Sequence, residues 1–383
     1  MKHILVNNIV KIQYPFGDHS ISEMIYHSIN AHPPSHEAVT LLSELFGRRD
    51  QTCFSVPDAE DRISKLQPAL SRAQSEDRLS ADDGITALHI ALYYFLVGGR
   101  GRWNEFLMFA CHYARKVLEN PSFMYHYPTA LEAATPKDQF VVKTAIWFDV
   151  LASITTRTPP QLLSYIRALF KPDNSLSGMP TTCSMMPMGC ENTVVWALAE
   201  TSDLSCWKHR GEQNGDLSVD ELVRRVREIE PYLADPILPI RQHENFSWFL
   251  ASEIFRTSTK LFLKSVELGD FPHVQEIRDS VFETIDAIQD FLKGIGGSGG
   301  FRTDNHCRSV MHRTRICSYI CGSLTDNRGV RKELTTYLEL NMGHEDSDLM
   351  HLLAEVHDTM QVIGPRRPAP WRRQLMQTGI VLI

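Results

Sequence analysis

Leu217-Ser218-Val219-Asp220-Glu221-Leu222-Val223-Arg224-Arg225-Val226-Arg227-Glu228-Ile229-Glu230-Pro231-Tyr232-Leu233 reads as an amphipathic helix, and the same reading recurs over most of the chain. Ser218 and Glu221 have the Ser-x-x-Glu spacing of a capping box: the hydroxyl accepts the Glu221 amide, and the Glu221 carboxylate bonds back. Leu222, Val226, Ile229 and Leu233 come next at spacings of four, three and four, which puts them on one face. Pro231 is expected to end or kink the helix.

Toward the C-terminus, Ala251, Ile254, Phe255, Ser258, Leu261, Phe262 and Val266 mark a second stripe, ending at Gly269. Val274, Ile277, Val281, Ile285, Ile288 and Leu292 mark a third, ending at Gly294. Pro159-Pro160 opens a helix through Leu162, Ile166, Leu169 and Phe170, with proline in the first turn. Leu349, Leu352, Val356 and Met360 form a late helix stopped by Gly364-Pro365. Strand signals are sparse, and no strand–helix alternation recurs. The expected fold class is all-α, a multi-helix array of antiparallel helices.

Residues 1–84 read as an irregular N-terminal segment, in which Asp58 to Asp83 mixes charge, Ser, Gln and Pro68 and reads as short helices or loop. Residues 85–383 read as a single helical domain. Pro172 to Gly189 and Gly294 to Gly300 are read as connections within that domain, since neither is long.

The chain has 383 residues, 43% hydrophobic and 22% charged, and a net charge of -7. A large core can form at this length without disulfide staples. The acidic balance argues against a chain that grips nucleic acid by itself, because such binding draws on clustered Lys and Arg. Eight cysteines are too few for a disulfide scaffold and fit buried thiols in a reducing compartment. The N-terminus lacks the features of a signal peptide. The longest uncharged apolar stretch, between Asp83 and Arg100, falls short of the ~20 residues a spanning helix needs. No membrane partner is expected.

Motifs that carry chemistry fail on context. The Gly294–Gly300 run spells both G-x-G-x-x-G and G-x-S-x-G, but an amphipathic helix precedes it where each pattern needs a strand. Asp83-Gly84-Ile85-Thr86-Ala87-Leu88-His89 looks like the start of an ankyrin repeat, yet nothing recurs a repeat later; a buried helix through Tyr93 and Leu96 is the better reading. The cysteines have no C-x-x-C spacing, so no structural zinc is expected. His344-Glu345 lacks the second histidine of a zincin, with Asp348 in its place. Asp82-Asp83 lacks the third acid of a magnesium cluster. No catalytic, cofactor-binding or metal residue is therefore assigned, and no cofactor. Asp149 stands out inside Ile146-Trp147-Phe148-Asp149-Val150-Leu151, where a buried acid needs a partner; Ser153, Thr155 and an arginine are the candidates. Arg302, Arg308, Arg313, Arg315, Arg328, Arg331 and Lys332, with Arg366, Arg367, Arg372 and Arg373 later, form two basic clusters without aromatic interleaving. A solvated face or intramolecular pairing fits them better than a DNA face.

Several blocks, taken in order, carry a resemblance. They include Gly101-Arg102-Trp103-Asn104-Glu105-Phe106-Leu107, Phe148-Asp149-Val150-Leu151-Ala152-Ser153-Ile154-Thr155 and Met188-Gly189-Cys190-Glu191-Asn192. Ile254-Phe255-Arg256-Thr257-Ser258, Cys317 to Asp326 and Trp371-Arg372-Arg373-Gln374-Leu375-Met376 complete the set. Over roughly residues 85–383 the chain resembles the C-terminal regulatory region of fungal-specific zinc-cluster transcription factors. The resemblance implies a non-enzymatic, nuclear regulator of transcription by RNA polymerase II. It would act through other transcription regulatory proteins, with a small-molecule effector as a further candidate partner. In that family zinc and DNA contacts belong to a separate N-terminal cysteine cluster. No such cluster stands in this sequence, so DNA is expected only indirectly, in a regulator that works through partners or comes from a truncated gene. The alternative is a helical enzyme or small-molecule carrier with a pocket lined by Met179 to Met188 and Asp149.

Overall fold

At three helix starts a short side chain takes one of the first free amides. Ser80 and Asp83 form a reciprocal capping box, as do Thr135 and Asp138. Both use Asp where the usual pattern has Glu, so they do not stand out in the sequence. At Ser218 only half of the expected box forms: its hydroxyl accepts the Glu221 amide at 3.2 Å, while the Glu221 carboxylate turns outward to Arg224. An arginine one turn on offers that carboxylate a bidentate partner, which a single amide cannot match.

The computed structural model describes Tyr14, residues 19–47, Val56, residues 58–172, 189–237, 246–296, Val310, and residues 313–341, 347–364 and 366–382. Among these, seventeen α-helices occur and no strand. They are α1 (His19–Ala31), α2 (Pro33–Phe46), α3 (Ala59–Ser75), α4 (Ala81–Leu96), α5 (Trp103–Leu118) and α6 (Tyr127–Ala133). The middle holds α7 (Pro136–Thr156), α8 (Leu163–Phe170), α9 (Asn192–Asn214), α10 (Val219–Ile229) and α11 (Pro231–Ala234). The last are α12 (Phe246–Leu268), α13 (Gln275–Gly296), α14 (Arg315–Ser323), α15 (Arg328–Asn341), α16 (Ser347–Ile363) and α17 (Trp371–Thr378). No described helix is long and apolar enough to cross a membrane.

The apolar stripes bury as their spacing predicts. Ile254, Phe255, Leu261, Phe262 and Val266 of α12 are buried, and so are Leu349, Leu352, Val356 and Met360 of α16. Pro231 does interrupt: α10 stops at Ile229 and the short α11 begins on the proline. Of the two connections expected in the sequence, residues 173–188 and 297–300 lie outside the described residues.

The first part of the chain differs from expectation. Residues 19–75 form three helices rather than an irregular segment. Helix α3 runs through Pro68, whose ring leaves the Ser64 carbonyl without an intrahelical donor. Tertiary bonds offset that loss. Arg102 reaches Ser64 Oγ at 3.1 Å and Gln67 Oε1 at 2.7 Å, and Arg62 pairs with Glu37 and Glu44 of α2.

One apolar core runs from Tyr14 to Leu382. Helix α2 packs on α4, α4 and α5 pack on α7, and α7 meets α9. Helix α9 passes the contact to α12, α12 to α13 and α14, and α14 to α16. Helix α17 then returns to α7. Trp147, fully buried on α7, stands edge-on to Phe255 of α12 at 4.9 Å and so joins the two halves. Gly84 lets α4 approach α7, since a Cβ there would stand 2.7 Å from Val141 Cγ1.

The chain end closes this ring. Ile380, Val381 and Leu382 are buried, and Thr155 Oγ1 donates to the Ile380 carbonyl at 3.3 Å. Gly99, at φ +67°, sits against this tail, and a Cβ on it would lie 2.3 Å from the Val381 nitrogen. Gly99→Ala is expected to cost roughly 2–4 kcal/mol, combining left-handed backbone strain with overpacking. Urea unfolding checks it; an unchanged midpoint would mean that the tail does not dock there.

Candidate functional site

Asp149 is the acid whose setting most demands a partner, and its partner is backbone. Its Oδ2 accepts the Leu162 amide at 2.8 Å, and the Gln161 amide bonds it as well. Both amides belong to the turn that leads from Pro159-Pro160 into α8. Ser153 instead donates to the Val150 carbonyl and meets Ser202 at 2.7 Å, while Thr155 holds the chain end. Asp149 therefore ties α7 to the start of α8. The sequence could not name this partner, because any amide of a Pro-led turn serves equally.

Burial raises the Asp149 carboxyl to about 6, against the two amide bonds that lower it. The folded value lies above the ordinary 3.8, so the fold favours the neutral acid. That contribution is fully present below pH ~4 and is lost as pH rises through ~6. Asp149→Asn removes it. The stability difference between Asp149→Asn and the parent is expected to move in the variant's favour by roughly 2 kcal/mol from pH 4 to 7. Unfolding curves across that range decide it, and a constant difference would refute the assignment.

The basic clusters divide by burial. Arg313, Arg315 and Arg372 are buried, which removes them from any DNA face. The Arg313 guanidinium lies 5.8 Å from the Tyr14 ring centre, and burial with Arg315 beside it pushes its pKa down to about 10. Arg331 donates to the Thr325 carbonyl. Arg302 and Arg308 lie outside the described residues.

Arg372 makes the densest polar contact in the C-terminal half. Its Nε is 3.0 Å from Asp270 Oδ2, Nη1 reaches Ser205 at 2.9 Å and Nη2 reaches Ser265 at 2.6 Å. Its plane lies over the Trp371 and Phe262 rings, at 4.4 and 4.9 Å. Trp371 Nε1 donates to the same Asp270 at 3.0 Å, and Tyr319 donates to the Trp371 carbonyl. Another buried cation, Arg256, binds Glu253, Glu283 and the Leu233 carbonyl, and so joins α11, α12 and α13. Both knots fix helices in place.

Among the described residues no group of His, Cys, Asp and Glu has the arrangement to hold a metal ion. Cys111, Cys190, Cys206, Cys317 and Cys321 are buried free thiols, and burial raises the pKa of each, which leaves them unreactive. Cys53, Cys183 and Cys307 lie outside the described residues, as do Met179 to Met188 and His344 to Asp346. His89 is buried in α4, where desolvation lowers it to about 4 and keeps it neutral. A surface cavity of about 350 Å³ opens between α13 and the end of α14, lined by Val281, Phe282 and Leu324 and crossed by an Arg278–Asp326 pair at 2.5 Å. Thr325 and Asp326 also line it, but Thr325 Oγ1 accepts the Asn327 amide and Asp326 is held by Arg278.

Asp149, Arg256 and Arg372 are thus tied into contacts that hold helices together. The sequence profile of the fungal-specific transcription factor domain matches residues 23–338. The chain belongs to this family. The match thus begins well before residue 85 and covers most of α1 and all of α2 and α3. Beyond residue 338, α16 and α17 pack on the same core. Three relatives carry the likeness further. The trichothecene biosynthesis transcription regulator TRI10 of Fusarium sporotrichioides is 30% identical over 98 residues, 26% of this chain and 23% of its own length. TRI10 of Trichoderma arundinaceum is 31% identical over 99 residues, 26% of this chain and 23% of its own. The ustiloxin B cluster transcription factor ustR of Aspergillus flavus is 29% identical over 157 residues, 38% of this chain and 26% of its own. The matched stretches thus span about a quarter of each relative. No solved structure matches the chain.

Proposed function

We propose that this chain is the regulatory domain of a nuclear regulator of transcription by RNA polymerase II, working through other regulatory proteins and without bond chemistry of its own. The observation that carries this reading is the family match over residues 23–338. The relatives' names add a direction: two are named for control of a biosynthesis and one for a gene cluster. The proposed target is accordingly a set of biosynthetic genes. Burial of Arg313, Arg315 and Arg372 supports indirect contact with DNA, since these guanidiniums cannot reach phosphates. The helices from α1 to α17 are proposed to act as one unit, supported by their shared core.

Deleting the gene and sequencing transcripts tests the reading, together with imaging of a tagged chain. Coordinated change in a biosynthetic gene set and a nuclear signal are expected. Unchanged transcripts with a signal excluded from the nucleus would overturn it.

A further inference from the structure

The end of the chain inverts the charge of the whole. Residues 359–383 contain four arginines and no acid, in a protein of net charge -7. Arg372 is taken up by Asp270, Ser205 and Ser265. Arg366, Arg367 and Arg373 are exposed and have no ion pair among the described residues. Beside these three stand two large apolar side chains that the core does not take: Val362 is 86% exposed and Ile363 40%. Gln374 Nε2 meets Thr359 Oγ1 at 3.4 Å, so the helix carrying Arg373 lies against the last turn of α16. Val362 and Ile363 thus stand exposed at the end of α16, with Arg366 and Arg367 a few residues on and Arg373 carried by the helix that meets α16 at Thr359.

Cations past a helix C-terminus complement its dipole. That accounts for one or two arginines but leaves Val362 and Ile363 without a reason to face water. Exposed apolar residues rimmed by charge of one sign mark an interaction surface. A phosphate backbone would use the arginines and leave the apolar pair in water. A protein segment with carboxylates and apolar side chains uses both.

We propose that this end of α16, with the arginines on either side of it, docks an acidic segment of a partner protein whose apolar side chains cover Val362 and Ile363. The proposal rests on the regulatory reading above and names the chemistry of the partner it requires. Guanidiniums on the rim steer a carboxylate-rich segment and fix its register, while the apolar contact slows its release.

The test uses the full chain and a fluorescein-labelled peptide of repeated Asp-Asp-Leu-Phe units, read by anisotropy. Controls are the same peptide with Ser in place of Leu and Phe, and labelled duplex DNA. Because the altered side chains are exposed, Arg366→Ala/Arg367→Ala/Arg373→Ala and Val362→Ser/Ile363→Ser should melt as the parent does. Each is expected to weaken the acidic–apolar peptide at least tenfold, and the Ser peptide and DNA should bind at least tenfold more weakly than the peptide. Equal binding by parent and variants overturns the proposal. So does tighter binding of DNA through the same arginines, or a concentration-dependent dimer that both variants abolish, which would make a second copy the occupant. A failure here with regulatory activity intact would leave the proposed function standing and remove only this surface.

Discussion

Asp270→Ala is expected to lower the unfolding free energy by about 3–5 kcal/mol, as breaking one partner of a buried ion pair does. Arg372 is 8% exposed, and Asp270 at 3.0 Å is the carboxylate that faces it. The substitution also removes the acceptor of the Trp371 indole N–H. Ser205 and Ser265 remain, but hydroxyls do not neutralise a buried cation. The Asp270 carbonyl still takes the Ala369 amide, so the turn itself survives and the loss is electrostatic. Chemical denaturation of the parent, Asp270→Ala and Asp270→Ala/Arg372→Met reads this out. The double variant should recover part of the loss, since removing both charges leaves none unpaired. A single variant as stable as the parent would show that Arg372 does not depend on Asp270.

Truncation after Asn341 should have the larger effect, with no cooperative unfolding transition remaining. Every residue of α14 is buried, and part of its cover comes from helices beyond residue 341. His357 meets the Gly322 carbonyl at 2.8 Å, and Tyr319 bonds the Trp371 carbonyl. Leu349, Leu352, Val356, Met360, Trp371 and Leu375 are buried against the same core. Burying each contributes about 1.5–3 kcal/mol, and their removal would also open the face of α14 that they cover. The family profile ends at residue 338, yet this chain completes its core with α16 and α17. Retention of a sharp melting transition in the truncated chain would show that these two helices are accessory.

The helical class is legible because burial tracks the apolar stripes of α10, α12, α13 and α16, which repeat every three or four residues. Helices α1 to α3 are not legible for the converse reason. Their faces are broken by Ser, His and Gln, and Pro68 argues against a helix that tertiary bonds from Arg102 and Arg62 nevertheless hold. The polar partners are hidden by distance along the chain. Asp270 and Arg372 lie 102 residues apart, and no local pattern pairs them. Asp149 is recognisable from its apolar neighbours as a buried acid, but its partners are amides, which every residue except proline carries. The surface at Val362, Ile363 and the three arginines is half visible. The sequence shows the charge run, and only the fold separates Arg372, turned inward, from Arg366, Arg367 and Arg373, turned out.

The central claim is that this helical array regulates transcription by docking partners. Fusing the chain to a foreign DNA-binding module upstream of a reporter, in a fungal host, tests it most directly. Reporter output is predicted to change several-fold in either direction, and the change should be lost in Asp270→Ala, where the fold is weakened. Reporter output equal to that of the DNA-binding module alone, from a fusion that is folded and nuclear, would contradict the claim.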